Sequence, residues 1–193
     1  MLGWQAGRPA IRAMQVQMII VHRSIRLVLL WALLAALAAC SPGKDQAAPP
    51  TVGMPAPDFT LATLDGGSLR LADARGQVVI VNFWASWCGP CEAETPRLVR
   101  WYAEHRAAGL LVLGVDVLHR DSRAAVEAFV EKYGVDYPVP LDEQGEVTAR
   151  WRAQLLPRSY VLDREGVVRF ARIGELTDDD FEQEIRPLLA QAP

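Results

Sequence analysis

From residue 78 the chain runs Val78-Val79-Ile80-Val81-Asn82-Phe83-Trp84, a stretch of β-forming residues without polar alternation. Such a run predicts a strand covered on both faces, within a parallel or mixed sheet. Leu110 to Val115 repeats the character and predicts a second central strand. Between them, residues 89–108 carry apolar positions at Leu98, Val99 and Tyr102, a helix expected to be interrupted at Pro96. Asp121 is the expected cap of a second helix, with Ala125, Phe129 and Val130 on one face and Gly134 as its stop. Ahead of these elements, Asp58 to Ala62 and Ser68 to Leu71 flank Asp65-Gly66-Gly67, a hairpin pattern. Downstream come a short apolar stretch at Tyr137 to Leu141 and a helix at Glu146 to Arg152. Ser159 to Asp163 and Val167 to Ile173, joined by a tight turn, predict an antiparallel hairpin. A terminal helix opens at Thr177 with Phe181, Ile185, Leu188 and Leu189 along one side, to be ended or bent by Pro187. This order predicts an α/β fold: a mixed sheet flanked by helices, with an N-terminal hairpin extension.

Composition changes the picture mainly at the N-terminus. The 193 residues are 51% hydrophobic with a formal charge of −3, values of a folded domain rather than a disordered or disulfide-dense chain. Residues 1–40 hold Arg8, Arg12, Arg23 and Arg26 and no acid; the remainder has 16 basic against 23 acidic side chains, a formal −7. That sign gives no electrostatic reason to bind nucleic acid. Leu27 to Ala39 is an apolar run behind Arg23 and Arg26, shorter than the ~20 residues of a membrane-spanning helix and suited to a signal peptide. Leu37-Ala38-Ala39-Cys40-Ser41 resembles a lipobox, which makes Cys40 the expected lipidation site. The organisation expected is a signal at 1–39, whose true start is Met14 or Met18 if the n-region is of ordinary length, a lipid-anchored linker at 40–56, and a folded domain at 57–193. The linker composition, rich in Pro and Ala, suits a semi-extended tether.

The chemistry concentrates at Trp87-Cys88-Gly89-Pro90-Cys91, at a strand-to-helix junction. Two cysteines at this spacing can close a disulfide, and the free N–H groups of a helix N-terminus stabilise a thiolate. Cys88 is read as the nucleophile and Cys91 as the resolving thiol. Pro90 is tolerated because an N–H there has no helical partner to lose. Structural zinc would need two further ligands, and the histidines available are His22, His105 and His119, without ligand spacing. No metal and no cofactor other than the Cys88–Cys91 redox disulfide is expected. A purely stabilising disulfide gains little from so short a loop.

Val81 to Cys91 resembles the thioredoxin superfamily, and its flanks resemble the membrane-anchored TlpA, ResA and CcmG/DsbE thiol-disulfide oxidoreductases. Those flanks are Pro57-Asp58-Phe59-Thr60-Leu61, Cys91-Glu92-Ala93-Glu94-Thr95-Pro96, and Leu156-Pro157 leading to Tyr160 to Gly166. The resemblance covers about residues 55–190 and implies a thioredoxin-like fold. It matches Pro157 to the family's cis-proline, which with Leu156, Trp87, Gly89 and Pro90 presents the substrate face. It matches Glu94 to an acid that tunes thiol ionisation. Asn82 stands where cytoplasmic thioredoxins keep a buried aspartate, so Glu94 is the expected proton acceptor. Trp84 and Trp87 are expected to frame the site or to enter the core. Arg158-Ser159 departs from the Glu-Thr common in cytochrome-maturation members, whereas Gly174 to Thr177 and Glu184 to Leu188 resemble their C-terminal segment.

The implied activity is reduction of disulfides in periplasmic proteins, apocytochrome c among the substrates, with electrons from a membrane donor of DsbD or CcdA type. The implied location is the periplasmic face of the inner or outer membrane; Ser41 after Cys40 resembles an outer-membrane sorting pattern. Two alternatives fit less well. Peroxiredoxins place threonine where this chain has Ala85, and SCO-type copper proteins space their cysteines by three and add a histidine ligand.

Overall fold

The computed structural model of the chain describes residues 48–191; the predicted signal, Cys40 and linker residues 40–47 lie outside the described residues. The described elements are β1 (Thr60–Ala62), β2 (Ser68–Arg70), β3 (Val78–Trp84), α1 (Gly89–His105), β4 (Leu110–Asp116), α2 (Arg123–Tyr133), α3 (Glu146–Arg150), β5 (Arg158–Leu162) and β6 (Val168–Ile173). A final helix, α4, spans residues 178–189. Among the described residues no helix is long and apolar enough to cross a membrane.

β1 and β2 pair as the predicted hairpin, and the other four strands form a mixed sheet in the order β4-β3-β5-β6. β3 runs parallel to β4 and antiparallel to β5, and every residue of β3 is buried. That burial explains its unbroken apolar run: helices cover both faces of the strand, leaving no solvent side for polar residues. On one face Val78, Ile80, Val112 and Val161 pack against Leu98 and Trp101 of α1 and Phe181 and Ile185 of α4. On the other, Val79, Val81, Phe83, Leu113 and Val115 pack against Val126 and Phe129 of α2 and Val147 of α3. Gly114, in β4, is required by close approach, because a Cβ there would lie 2.8 Å from the Tyr137 ring and 3.1 Å from the Trp84 indole nitrogen. The fold is thioredoxin-like, a mixed sheet flanked by helices, as expected.

Three local expectations need correction. Pro96 does not interrupt α1, which continues for nine residues beyond it to His105. The Thr95 hydroxyl donates to the Cys91 carbonyl at 2.8 Å next to the missing bond, and burial of Leu98 and Trp101 on the far side outweighs the loss. The cap of α2 is Ser122, whose hydroxyl accepts from the Ala125 N–H, and Val126 rather than Ala125 joins Phe129 in the core. Pro187, expected to end or bend α4, stands in its last turn: the helix passes through a π turn at Phe181–Ile185 just before it and closes at Arg186–Leu189. Finally, the linker expected to reach residue 56 pairs earlier, since Gly53 and Ala56 donate to the carbonyls of Val168 and Gly166 at 2.8 and 2.9 Å.

An aromatic cluster joins the N-terminal segment to the sheet. The Trp151 ring lies 5.7 Å from Phe59, 5.7 Å from Phe83 and 5.2 Å from Tyr160, and the Tyr160 hydroxyl donates to the Trp151 carbonyl at 2.5 Å. Because Trp151 is fully buried, Trp151→Ala leaves a cavity under three elements and is expected to cost about 3–5 kcal/mol of stability, read as a lower urea midpoint in a denaturation curve.

Candidate active site

β3 delivers the chain into the core's upper edge, and Ala85-Ser86-Trp87 carries it to Cys88, the residue that caps α1. Cys88 and Cys91 are joined as a disulfide with their Cα atoms 5.2 Å apart. The Cys91 N–H points at the Cys88 sulfur, at 3.3 Å. A sulfur at that position receives the orphan N–H groups and positive dipole end of a helix of 17 residues, which favours a thiolate over a thiol. Cys88 is 5% exposed and Cys91 1%, so an incoming molecule meets the Cys88 sulfur first. Gly89 and Pro90 are exposed and leave its approach open.

Behind the cysteines lies a buried polar network. Glu94, only 1% exposed, accepts the Leu176 N–H at 2.6 Å and the Asn82 side-chain amide at 2.9 Å. Asn82 gives its other amide hydrogen to the Ser159 hydroxyl at 2.9 Å, which uses both donors. Arg97, one turn along α1, ties the same segment down through the Leu176 carbonyl at 3.0 Å and Glu175 at 2.6 Å. Burial pushes the Glu94 carboxyl up to about 7, against the downward pull of the Leu176 N–H, the Asn82 amide and Arg97. Glu94 is therefore a group able to change protonation near neutral pH, three residues from Cys91. Its partner Leu176 is a contact that the local sequence around the cysteines does not reveal.

The peptide bond Leu156–Pro157 is cis. Phe83 pairs with Arg158, so Pro157 and the residues that follow β3 sit at the same end of the sheet. Trp87 is 52% exposed and Leu155 67%, two apolar side chains at the surface. Trp87 is held from behind: its indole N–H donates to the Arg120 carbonyl at 2.8 Å and the Arg120 guanidinium lies 5.0 Å from its ring. Trp84, by contrast, belongs to the core and packs on Phe129 with ring centroids 4.4 Å apart.

Of two carboxylates here, the sequence marks one only as a helix cap and does not single out the other. Asp121 accepts from Ser86, through its N–H at 2.6 Å and its hydroxyl at 2.7 Å, and so fastens the approach to Cys88 instead of capping α2. Asp116 ends β4 fully buried; the signal available was an acid closing an otherwise apolar run. His105 stacks on Phe181 and His119 packs at Gly145, while His22 lies outside the described residues. Among the described residues no cluster of three metal-ligating side chains forms. A cleft of about 550 Å³ runs between β1 and α3, lined by Phe59, Arg70, Glu146 and Arg150 among others, and none of the residues above lines it.

Comparison with known proteins agrees with this geometry. The AhpC/TSA family model matches residues 52–171. The thiol-disulfide oxidoreductase ResA of Geobacillus kaustophilus is 35% identical over 137 residues, covering 71% of this chain and 78% of ResA. A Chlorobium tepidum crystal structure described as a thiol:disulfide interchange protein DsbE superposes with a TM-score of 0.67 at 30% identity, over 73% of this chain and 99% of its own. A secreted thiol-disulfide isomerase from Corynebacterium glutamicum gives a TM-score of 0.64 at 33% identity, over 70% of this chain and 85% of its own.

The Glu94 environment makes stability depend on pH. A carboxyl raised from 4.5 to about 7 on folding keeps its proton longer in the native state, so its stabilising effect is complete below about pH 4.5 and is lost as pH rises to about 7. At ~1.4 kcal/mol per unit the loss is on the order of 3 kcal/mol. Urea unfolding of the oxidised protein at pH 4, 6 and 8 is expected to show a decline that includes this share, and Glu94→Gln is expected to make it shallower by about that amount, leaving the part that belongs to the other raised carboxyl, buried Asp116.

Proposed function

Because the chain belongs to the AhpC/TSA family and is a thiol-disulfide oxidoreductase, we propose that it reduces disulfides of extracytoplasmic proteins through Cys88 and Cys91. The observation that carries this reading is the position of the Cys88 sulfur, which caps α1, receives the Cys91 N–H at 3.3 Å and is the more exposed of the pair. In the reduced protein the Cys88 thiolate attacks one sulfur of a substrate disulfide and displaces the other as a thiolate. The Cys91 thiol loses its proton and its sulfur attacks the Cys88 sulfur of the mixed disulfide, which releases the substrate as a dithiol and closes Cys88–Cys91. Two electrons pass to the substrate for each disulfide formed in this protein. Glu94, a carboxyl poised near neutral pH, takes the Cys91 proton as that second attack proceeds.

Substrate engagement is assigned to the exposed rim around the sulfur. Gly89 and Pro90 are exposed beside the Cys88 edge of the disulfide, Trp87 supplies an apolar surface, and Leu156-Pro157 lies at the same end of the sheet. The Gly-Pro dipeptide and the C-terminal segment favour a reductant acting on cysteine-containing periplasmic proteins, apocytochrome c among them. The returning electrons come from a membrane thiol donor of DsbD or CcdA type, because an oxidising compartment does not keep a dithiol reduced. Cys40, at the end of the signal-like run, becomes a lipidated N-terminus that tethers residues 57–193 to the inner or outer membrane. The secreted isomerase among the structural relatives supports the extracytoplasmic location.

Two experiments test this. Cys91→Ser in cells is expected to accumulate mixed disulfides that need Cys88, and the captured proteins identify the substrates; absence of any adduct together with failure of the wild-type protein to reduce insulin overturns the reductase reading. Cys40→Ala is expected to move the protein from the membrane to the soluble fraction. Continued membrane fractionation would show that the tether is something other than a lipid on Cys40.

A further inference from the structure

Asp116 is the least explained ionisable group of the described residues. It is 0% exposed, and neither of its carboxyl oxygens has a hydrogen-bond partner. Its main chain is fixed, with the N–H donated to the Pro140 carbonyl and its own carbonyl accepting from Asp142, each at 2.9 Å. At the same end of the sheet lies Asp121, whose carboxylate bonds Ser86 two residues beyond Trp84, the register partner of Asp116, and whose charge bears on the Asp116 carboxyl.

The two acids are differently supplied. Asp121 accepts from the Ser86 N–H, the Ser86 hydroxyl and the Ser122 N–H at 2.6, 2.7 and 2.8 Å, so its oxygens already hold three donors. Asp116 receives no donor. The buried indole N–H of Trp84, the register partner of Asp116 in the sheet, also lacks a partner. Charges on the neighbouring segments are committed elsewhere: Arg120 lies over Trp87, Arg123 bonds the Leu64 carbonyl, and Asp142 accepts from the Val147 and Thr148 N–H groups of α3. His119 packs at Gly145. Two adjacent carboxylates with no cation between them repel; adding one proton to the poorly solvated member turns the repulsion into a strong hydrogen bond.

The geometry points to Asp116 and Asp121 as a carboxylic acid–carboxylate pair that shares one proton, and through Ser86 holds the segment leading to Cys88, which makes Asp116 a positioning residue for disulfide exchange. The neutral Asp116 carboxyl donates to Asp121; Asp121 holds both hydrogen-bonding groups of Ser86; Ser86 stands two residues before Cys88. Burial, followed by the Asp121 charge and hydrogen bond, pushes the Asp116 carboxyl up to about 8, so the pair is singly protonated at neutral pH. Above that pH the proton leaves, the two carboxylates repel, and the hold on Ser86 weakens.

The proposal rests on the exchange chemistry of Cys88 for its kinetic readout, but the pair can be tested apart from it. Carbon-13 NMR of aspartate carboxyls in the purified protein is expected to show one group titrating near pH 8 that is missing in Asp116→Asn. If every aspartate titrates below about pH 5, the shared proton does not exist and the proposal falls. The rate of reaction of the reduced protein with a small aromatic disulfide, followed from pH 6 to 10, is expected to drop below its thiolate-driven rise once Asp116 ionises. Asp116→Asn, which keeps an N–H donor toward Asp121, is expected to lack that drop. Asp116→Ala, which keeps none, is expected to be slower than wild type below about pH 8, by up to about tenfold, and to lack the drop above it. If the wild-type and Asp116→Asn profiles superimpose, Asp116 is not a positioning residue; should the alanine variant not fold, that comparison decides alone. A wild-type protein unreactive at all pH values would overturn the exchange reading, while the carboxyl titration would still decide the pair.

Discussion

The geometry depends on one junction: a strand buried on both faces must end where a helix begins, with a cysteine as the helix cap. β3 cannot shift along its neighbours without moving its entire apolar set, because it is in register with β4 on one side and β5 on the other. The position of Cys88 is thereby as rigid as the core. α1 is equally committed, with Leu98 and Trp101 under the sheet and Cys91 inside the core. The disulfide closes across the cap and first turn of α1, directly after β3, so the chemistry is presented by the fold rather than by a mobile loop.

That rigidity has an electrostatic consequence. A thiolate at a helix N-terminus is stabilised without any nearby Lys or Arg, and the flanking acids can then be used for proton handling instead of charge compensation. Glu94 and Asp116 are both buried carboxyls raised toward neutrality, but their surroundings differ. Glu94 has two donors, from Leu176 and Asn82, and Arg97 one turn away, all of which support its ionised form. Asp116 has none, and faces an acid that is already saturated. The first environment suits a carboxyl that cycles between its two forms; the second suits one that holds its proton.

Much of this architecture is legible in the sequence because the burial pattern is simple. β3 and β4 declare themselves as unbroken apolar runs, both hairpins as short strands around Gly-containing turns, and the cysteine motif as a strand-to-helix junction. What is not legible depends on distant residues. The continuity of α1 through Pro96 is settled by burial of Leu98 and Trp101, which local propensity does not register. Whether Glu94 faces water or the core is decided by Leu176, 82 positions away in the chain. Asp121 reads as a helix cap on local grounds, yet Ser122 takes that place and Asp121 turns to Ser86, 35 residues upstream. The π turn of α4 likewise reflects how Phe181 and Ile185 reach the α1 face, which no helical period of 3.6 describes.

The same distant contacts tie the two sides of the active site to different parts of the chain. Glu94 answers to the C-terminal segment through Leu176 and Arg97, and to β5 through Asn82 and Ser159. Asp121 and Asp116 answer to the end of β4, whose backbone is fixed by Pro140 and Asp142. A substitution at the C-terminal segment therefore acts on the resolving side, near Cys91, whereas one in the β4–α2 connection acts on the approach to Cys88. The two cysteines are three residues apart, but the buried carboxyls near them are tied to different parts of the chain, the C-terminal segment and β5 on one side and the β4–α2 connection on the other. Separate supply permits the ionisation of one sulfur and the placement of the other to be tuned independently, which a single shared acid would not allow.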